Sequence, residues 1–287
     1  MFGFAFYRNF KYKMVTHARV FTLKTKFKIT ENQGLFLTSL FHFINKKFGY
    51  ENMCSWAKIK NDKIQLPTKN NKIDFDFMES FIEELEAQRI KKLDAYLKAS
   101  NLKDYNLTDK EQKVLDDFKK GNFKWDNFNL QQLFGKSTRG KRLKSDDRIK
   151  GNLAFVTAGE TDEGISAFVG NDITIFPKNT TTIDMFGSAK YRNYNYGADD
   201  HIAVIYTQNL SKFASIFTTT AINKSSYTGE FHYGKNFYPK DADNLNITLP
   251  TKDNQPNYKL METLISAIQK QVIKDVVLYS NKKIGEN

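Results

Sequence analysis

Cysteine is almost absent from this chain, since Cys54 is the only one among 287 residues. This excludes an intrachain disulfide and a zinc site built from several cysteines. No apolar run is long enough to cross a bilayer. The N-terminus mixes aromatic and basic residues and lacks the continuous apolar core of a signal peptide. We therefore expect a cytoplasmic protein that has no membrane partner.

Acidic residues are outnumbered by basic ones. The chain has 44 Lys and Arg against 32 Asp and Glu, a net charge of +12. Such an excess suits a polyanionic partner, foremost a nucleic acid, although a general preference for Lys and Asn in the genome would also produce it. The 25 Phe and 14 Tyr within a hydrophobic content of 40% indicate a packed globular protein, large enough for one large domain or two small ones.

The chain contains an internal repeat. The opening MFGFAFYRNFKYKMVTHARV matches MFGSAKYRNYNYGADDHIAV, which places Met1 opposite Met185 and His17 opposite His201. Further on, KIQLPTKNNKIDFDFMESFIEEL matches NITLPTKDNQPNYKLMETLISAI, with Pro67 opposite Pro250. Two further segments occupy corresponding places in the copies and predict apolar helices, namely ENQGLFLTSLFHFIN and NLSKFASIFTTTAIN. Each copy is thus a strand-rich segment, a helix, a strand and a long helix.

A long amphipathic helix is predicted after each LPTK turn, at residues 74–97 and 257–280. The stripe of the first helix contains Phe77, Met78, Phe81, Ile82, Leu85, Arg89, Leu93 and Tyr96, and that of the second contains Leu260, Met261, Leu264, Ile265, Ile268, Val272, Ile273 and Val276. The two stripes could pair as an antiparallel coiled coil. Alternatively, each helix packs on its own domain.

The repeat also predicts the domain boundaries. A partial first domain covers residues 1–73, the two long helices are separated by a linker at 98–122, a complete domain covers 123–256, and the second helix and a tail cover 257–287. In the linker, Thr108 followed by Glu111 predicts a short capped helix that ends near Gly121.

Residues 123–184, with the strand-like segments LAFVTA, ISAFVG and ITIF, have no counterpart in the first copy. We therefore expect the segments Phe4 to Tyr12 and Val20 to Lys26 to lack their strand partners. On this view the first copy is less ordered than the second and binds no specific half-site.

No catalytic constellation is found. The run Phe134 to Thr138, FGKST, imitates the end of a phosphate-binding loop but lacks its upstream glycine, because that position is Leu130. The four histidines form no HExxH pair. For Asp199-Asp200-His201, structural hydrogen bonding is favoured over acid–base chemistry. We expect no metal and no cofactor.

Two segments carry candidate DNA contacts. The first is a cluster of cations between glycines, suited to phosphate contacts, for which a solvated loop is the alternative: Lys136, Arg139, Lys141, Arg142, Lys144 and Arg148. The second is the predicted strand Lys190, Tyr191, Arg192 and Asn193, whose alternate residues point to opposite faces. Because Tyr-Arg-Asn occurs in both copies, we favour a scaffold or phosphate role for it and place base readout in the divergent loops.

The chain resembles a target-recognition domain of type I restriction-modification specificity subunits in three segments, GKRLKSDDRIKGNLAFVTAGETDEGISAFVGN, TTIDMFGSAKYRNYNYGADDH and GKNFYPKDADNLNITLP. The spacer helix that follows such a domain is similar to LMETLISAIQKQVIKDVV. The resemblance implies a mixed α/β (α+β) fold with long spacer helices. In that family two recognition domains read a bipartite DNA site, methyltransferase subunits methylate adenine, a motor-nuclease subunit cleaves, and the specificity subunit itself is not catalytic.

The sequence leaves the partners and the class of protein open. Within the family, the partners implied are double-stranded DNA, methyltransferase subunits, possibly a restriction subunit, and possibly a second copy of the chain. The alternatives are a specificity protein of a type IIB enzyme and a nucleic-acid-binding protein without sequence preference.

Overall fold

A computed structural model describes residues 2–14 and 20–285, and the chain divides into two compact units. Unit 1 is Met1–Lys103 together with Asp275–Asn287, and unit 2 is Asp104–Lys274. Among the described residues no helix is long and apolar enough to cross a membrane. The predicted match of His17 with His201 falls on a residue outside the described ranges.

The elements of unit 1 are α1 (Glu31–Ser39), α2 (His42–Asn45), α3 (Trp56–Ile59), β1 (Thr68–Lys69), β2 (Lys72–Ile73) and α4 (Phe75–Ala99). Unit 2 begins with α5 (Asp109–Lys119), β3 (Trp125–Asn129), α6 (Leu130–Phe134), β4 (Thr138–Arg139), β5 (Lys150–Val156), β6 (Ile165–Val169), β7 (Thr180–Asp184), β8 (Ala189–Arg192), β9 (Tyr196–Ala198) and β10 (Ile202–Ile205). It continues with α7 (Lys212–Ser226), α8 (Pro239–Asp243), β11 (Asn246–Lys252), β12 (Gln255–Pro256) and α9 (Tyr258–Gly285), whose last residues belong to unit 1.

The repeated LPTK segment forms the same turn in both units. Asn70 and Asn71 have φ values of 51° and 60°, and Asp253 and Asn254 have 53° and 59°. Two consecutive left-handed residues match the twist of a tight hairpin, and Asn and Asp tolerate this conformation better than most residues do. A side-chain cap follows each turn, since the amide of Phe77 donates to Asp74, as that of Leu260 does to Asn257.

In unit 1 the first half of α4 packs on α1. The ring of Phe36 lies 6.1 Å from that of Phe77 and 5.6 Å from that of Phe81, both nearly perpendicular. Asn32 donates to Glu79. Further along, Glu86 of α4 forms a 3.2 Å ion pair with Lys283 of α9. Part of the stripe of α4 therefore packs within its own domain, as the alternative to coiled-coil pairing predicts.

In unit 2 the first half of α9 also packs on its own domain. Met261 lies in the main core, and Leu264 packs with Val114 and Leu115 of α5. The predicted linker therefore contains a helix that is part of the domain core, and its Thr108–Glu111 capping box forms as predicted. Coiled-coil pairing along the full length of the two stripes stays a prediction.

Three sheets build unit 2. One has the antiparallel order β4-β10-β7-β8, the second has the order β12-β11-β3, and the third has the order β6-β5-β9, in which β5 and β9 are parallel. Both faces of β10 are buried, because Ala203 and Ile205 belong to one core cluster while Ile202 and Val204 belong to another. Because successive side chains of a strand point to opposite faces, β10 lies between the two cores and contributes to both.

The strand predictions hold in part. LAFVTA and ISAFVG fall largely within β5 and β6, but ITIF is irregular, with an isolated bridge between Phe176 and Tyr196. The described residues 2–14 and 20–29 contain no strand. Phe4, Phe6 and Phe10 are exposed there.

Candidate nucleic-acid interface

The cation cluster predicted at residues 136–148, here called the basic loop, lies on the surface of unit 2. Its first five cations are exposed, and none forms an ion pair with any residue that the structure describes: Lys136, Arg139, Lys141, Arg142 and Lys144. Asp146 and Asp147 lie in the same loop, so six cations against two carboxylates leave it a charge of 6 − 2 = +4. The loop is therefore a concentrated source of positive potential.

The start of the basic loop is fixed by Ser137, which is buried. Its hydroxyl donates to the carbonyl of Pro239 at 2.8 Å and also lies 2.6 Å from Asp243, and its amide donates to Asp243 at 2.8 Å. Ser137 therefore has a structural role, which agrees with reading FGKST as a chance match to a phosphate-binding loop.

The middle of the loop includes β4 of the four-stranded sheet and then contacts β9 of the three-stranded sheet. Arg139 pairs with Ala203 of β10, and the amide of Lys141 donates to the carbonyl of Ala198 at 3.0 Å. Between them, a Cβ added to Gly140 would lie 1.8 Å from the Ala198 carbonyl oxygen. Only glycine permits this approach, so the exposed side chains stand on a fixed backbone.

Arg148, the last predicted cation, has a different environment. It is half-buried, two of its nitrogens donate to the carbonyl of Leu143 at 3.3 Å, and its guanidinium lies 5.1 Å from the ring centre of Phe155. Arg148 thus closes the loop on itself and has less of its charge available to a ligand.

Arg192, for which a scaffold or phosphate role was predicted, is buried. This side chain is 1% exposed. Its guanidinium donates to the Thr182 hydroxyl at 2.9 Å, to the Glu163 carbonyl at 2.9 Å and to the Tyr194 hydroxyl at 3.0 Å. A buried arginine with these bonds cannot reach DNA in this conformation, so the scaffold role fits it.

Its neighbours on the same strand are also engaged. Lys190 donates to Glu160 at 3.1 Å and lies 3.9 Å from Asp184. The hydroxyl of the half-buried Tyr191 donates to Asn179, and burial raises the pKa of that phenol. Asn193 is exposed. Of this predicted group, only Asn193 has a side chain that is freely presented to solvent.

The sequence Asp199-Asp200-His201 forms a half-buried cluster whose ligand-type atoms lie within 4.8 Å of one another. The amide of Asp200 donates to Asp199, and His201 Nδ1 lies 3.1 Å from Asp200. Burial is the largest cause of the raised pKa of Asp199. A structural role for the cluster stays a prediction.

Sequence reasoning missed Tyr233, which lies in a short hairpin before α8 and is 85% exposed. The available signal was Tyr233-Gly234, a turn dipeptide between His232 and Lys235. The chain has 14 tyrosines, and the sequence does not show which of them is exposed.

The fold resembles that of a type I restriction-modification S subunit. A crystal structure of a type I restriction-modification S subunit from M. genitalium aligns with a TM-score of 0.51 at 16% identity, over 88% of this chain and 69% of that chain. A structure concerned with complex assembly of the type I system aligns with a TM-score of 0.43 at 15% identity, over 88% of this chain and 64% of that chain.

The chain belongs to the family described as the type I restriction modification DNA specificity domain, which matches residues 1–95 and 122–277. These two matches coincide with the two copies of the internal repeat. The chain is therefore a specificity subunit of a restriction-modification system. The specificity subunit S.BcgI of a type II restriction enzyme of Heyndrickxia coagulans is 24% identical over 254 residues, which are 86% of this chain and 70% of that protein.

Proposed function

We propose that unit 2 binds duplex DNA through the basic loop and so brings the catalytic subunits of the system to their target. The observation that carries this proposal is the set of five exposed cations without an ion-pair partner among the described residues, on a backbone fixed at Ser137 and Gly140. Lysine and arginine at such positions release counterions from the DNA backbone when they bind, which supplies affinity without reading sequence.

Catalysis is assigned to partners in this proposal. Methyltransferase subunits methylate the target, a restriction subunit cleaves, and this chain contributes recognition. Co-purification of the chain with a methyltransferase from its native cells, followed by methylation of DNA by the complex, tests this division of labour.

The basic loop is tested by the triple change Arg139→Ala, Lys141→Ala and Arg142→Ala. Each lost phosphate contact makes the negative slope of log affinity against log salt shallower by about 0.9. We therefore expect the magnitude of the slope to decrease by about 2–3, and the affinity to fall to a similar extent for all duplexes. Fluorescence anisotropy at several salt concentrations measures both quantities.

A matched control removes the same charge elsewhere in unit 2. Lys113, Lys119 and Lys120 are exposed cations on or next to α5, and their replacement by alanine should leave the slope within about 0.5 of the wild-type value. An unchanged slope in the basic-loop variant, or an equal loss in both variants, would contradict the proposal.

A second candidate is a specificity protein of a type IIB enzyme. The observation that favours it is the similarity to S.BcgI, which is the specificity subunit of a type II enzyme. Cleavage by the purified complex discriminates the two systems. Cleavage driven by a motor-nuclease subunit requires ATP hydrolysis, whereas ATP-independent cleavage at fixed positions beside the methylated site would support the type IIB alternative.

A further inference from the structure

Several loops of unit 2 leave the four-stranded sheet at the same end. Asp184, at the end of β7, pairs with Ile202 at the start of β10, and the turn to β8 follows directly. On the other side of β10, Ala203 pairs with Arg139. Because β4 is antiparallel to β10, the basic loop continues from Arg139 toward the end of the sheet that holds the β7–β8 turn. The β7–β8 turn and the basic loop therefore lie at the same end of the sheet.

A short hairpin, residues 231–235 and here called the tip hairpin, is attached to that end. The amides and carbonyls of His232 and Lys235 bond to each other at 3.0 and 2.9 Å. Just after the hairpin, the amide of Phe237 donates to the carbonyl of Met185 in the β7–β8 turn. Phe237 is 2% exposed, and the ring of Phe231 packs on it at 4.9 Å. The hairpin therefore projects from a fixed base.

Tyr233 is the outermost residue of this hairpin. At 85% exposure it is more accessible than any other large hydrophobic side chain among the described residues. Its ring meets Phe186 of the β7–β8 turn edge to face at 5.2 Å, and its hydroxyl forms no hydrogen bond within the described part of the chain. An aromatic ring held in water on a fixed backbone has most of its surface available for a partner.

We propose that the tip hairpin enters the major groove of the target and that Tyr233 contacts base edges there, which makes it a specificity-determining residue. The hairpin contains one bridged pair, His232 and Lys235, and is therefore smaller than the two-stranded ribbons that this groove admits. Its phenol offers a donor, an acceptor and an apolar ring for the thymine methyl group. This inference deepens the proposed function, on which it rests.

The spacing of the two loops agrees with this assignment. In the sheet order, β7 lies two strands and β8 three strands from β4, so the β7–β8 turn lies about 10–14 Å from β4 at the usual strand separation. The major groove is about 12 Å wide, so cations at β4 can reach the phosphates of one edge while the tip hairpin enters the groove. Lys235 is paired with Glu230 and is not counted as a phosphate contact.

The test is Tyr233→Ala, compared with Tyr50→Ala, which removes a tyrosine that is 77% exposed in unit 1. Each variant is produced with its methyltransferase in cells that have no other specificity protein, and methylated positions are mapped across the genome. For Tyr233→Ala we expect a relaxed base at one position of the motif, or a loss of methylation of about 10-fold or more. Tyr50→Ala should retain the wild-type motif.

Binding in vitro separates the possible causes. For the Tyr233→Ala complex, affinity for a duplex carrying the mapped motif should fall about 10- to 100-fold, whereas affinity for a scrambled duplex and the salt slope stay unchanged. Equal loss on both duplexes, an unchanged motif with unchanged methylation, or failure to co-purify with the methyltransferase would each overturn the inference. If the basic-loop variant alone binds normally, the proposed function fails instead.

Discussion

At the scale of single residues, the same tripeptide has two environments. Tyr-Arg-Asn occurs at residues 7–9 and 191–193. Arg192 is buried and bonded to three oxygen atoms, whereas Arg8 is exposed and lies over the rings of Phe6 and Phe10 at 5.3 and 5.8 Å. Identical local sequence therefore does not fix the role of an arginine, because its burial depends on strands that are distant in sequence.

This contrast gives a prediction about stability. Arg192→Ala removes a fully buried side chain and leaves the Glu163 carbonyl and the Thr182 and Tyr194 hydroxyls without their partner, so the free energy of unfolding should fall by about 3 kcal/mol or more. Arg8→Ala, at an exposed position, should change it by less than about 0.5 kcal/mol. Urea denaturation measures both. Similar small effects would show that Arg192 is not a structural residue.

At the scale of elements, a partly buried polar network connects α5 to α9. Glu111 accepts from Ser266 at 2.7 Å and from Lys270 at 3.0 Å, and Lys270 also lies 3.0 Å from Asp104. Burial by itself would raise the pKa of Glu111, but hydrogen bonds from Thr108, Ser266 and Lys270 outweigh it and lower the pKa to about 2. The same carboxylates raise the pKa of Lys270 against the effect of its burial.

The network predicts a pH-dependent effect of Glu111→Gln. A carboxyl whose pKa is lower in the folded chain stabilises the fold above its unfolded pKa of about 4.5 and loses this contribution as pH falls toward 2. The variant should therefore be less stable than wild type by about 1–3 kcal/mol at pH 7. The difference should shrink below pH 4.5. Chemical denaturation between pH 3 and pH 7 follows it.

Glu262→Gln is the control, because Glu262 forms a surface ion pair with Lys259 in the same unit. Its effect should stay below about 0.5 kcal/mol at every pH. A stability difference for Glu111→Gln that does not vary with pH would mean that Glu111 lacks these partners in solution.

At the scale of the whole molecule, the two copies of the repeat carry very different amounts of sheet. Within the described residues, unit 1 has two strands of two residues each, whereas unit 2 has ten strands and the basic loop. Phosphate-binding and base-reading surfaces need a backbone that holds their side chains in place. This asymmetry favours one recognition surface per chain, in unit 2.

Methylation mapping tests this asymmetry directly. In cells where this chain is the sole specificity protein, we expect a motif that is either one uninterrupted half-site or a symmetric repeat of one half-site contributed by two copies of the chain. The motif should not contain two unrelated half-sites. A bipartite motif with two different half-sites would contradict the prediction, because the second sequence would require a second reading surface in unit 1.

The sequence by itself determined the features that depend on local chemistry. The LPTK turns, the capping box at Thr108, the start of both long helices and the family resemblance follow from residues that are close in the chain. A turn needs residues that tolerate positive φ, and a cap needs a side chain three residues from an amide. Such requirements are written directly in the sequence.

Tertiary structure alone decided which polar residues remain available. It buried Arg192, paired Lys190 with carboxylates and left five cations of the basic loop exposed. It also placed the stripe of α9 partly on α5 and joined the tip hairpin to the β7–β8 turn. The physical reason is that burial and strand pairing connect residues far apart in sequence, so a charge pattern identifies candidates while packing selects the side chains that can meet a ligand.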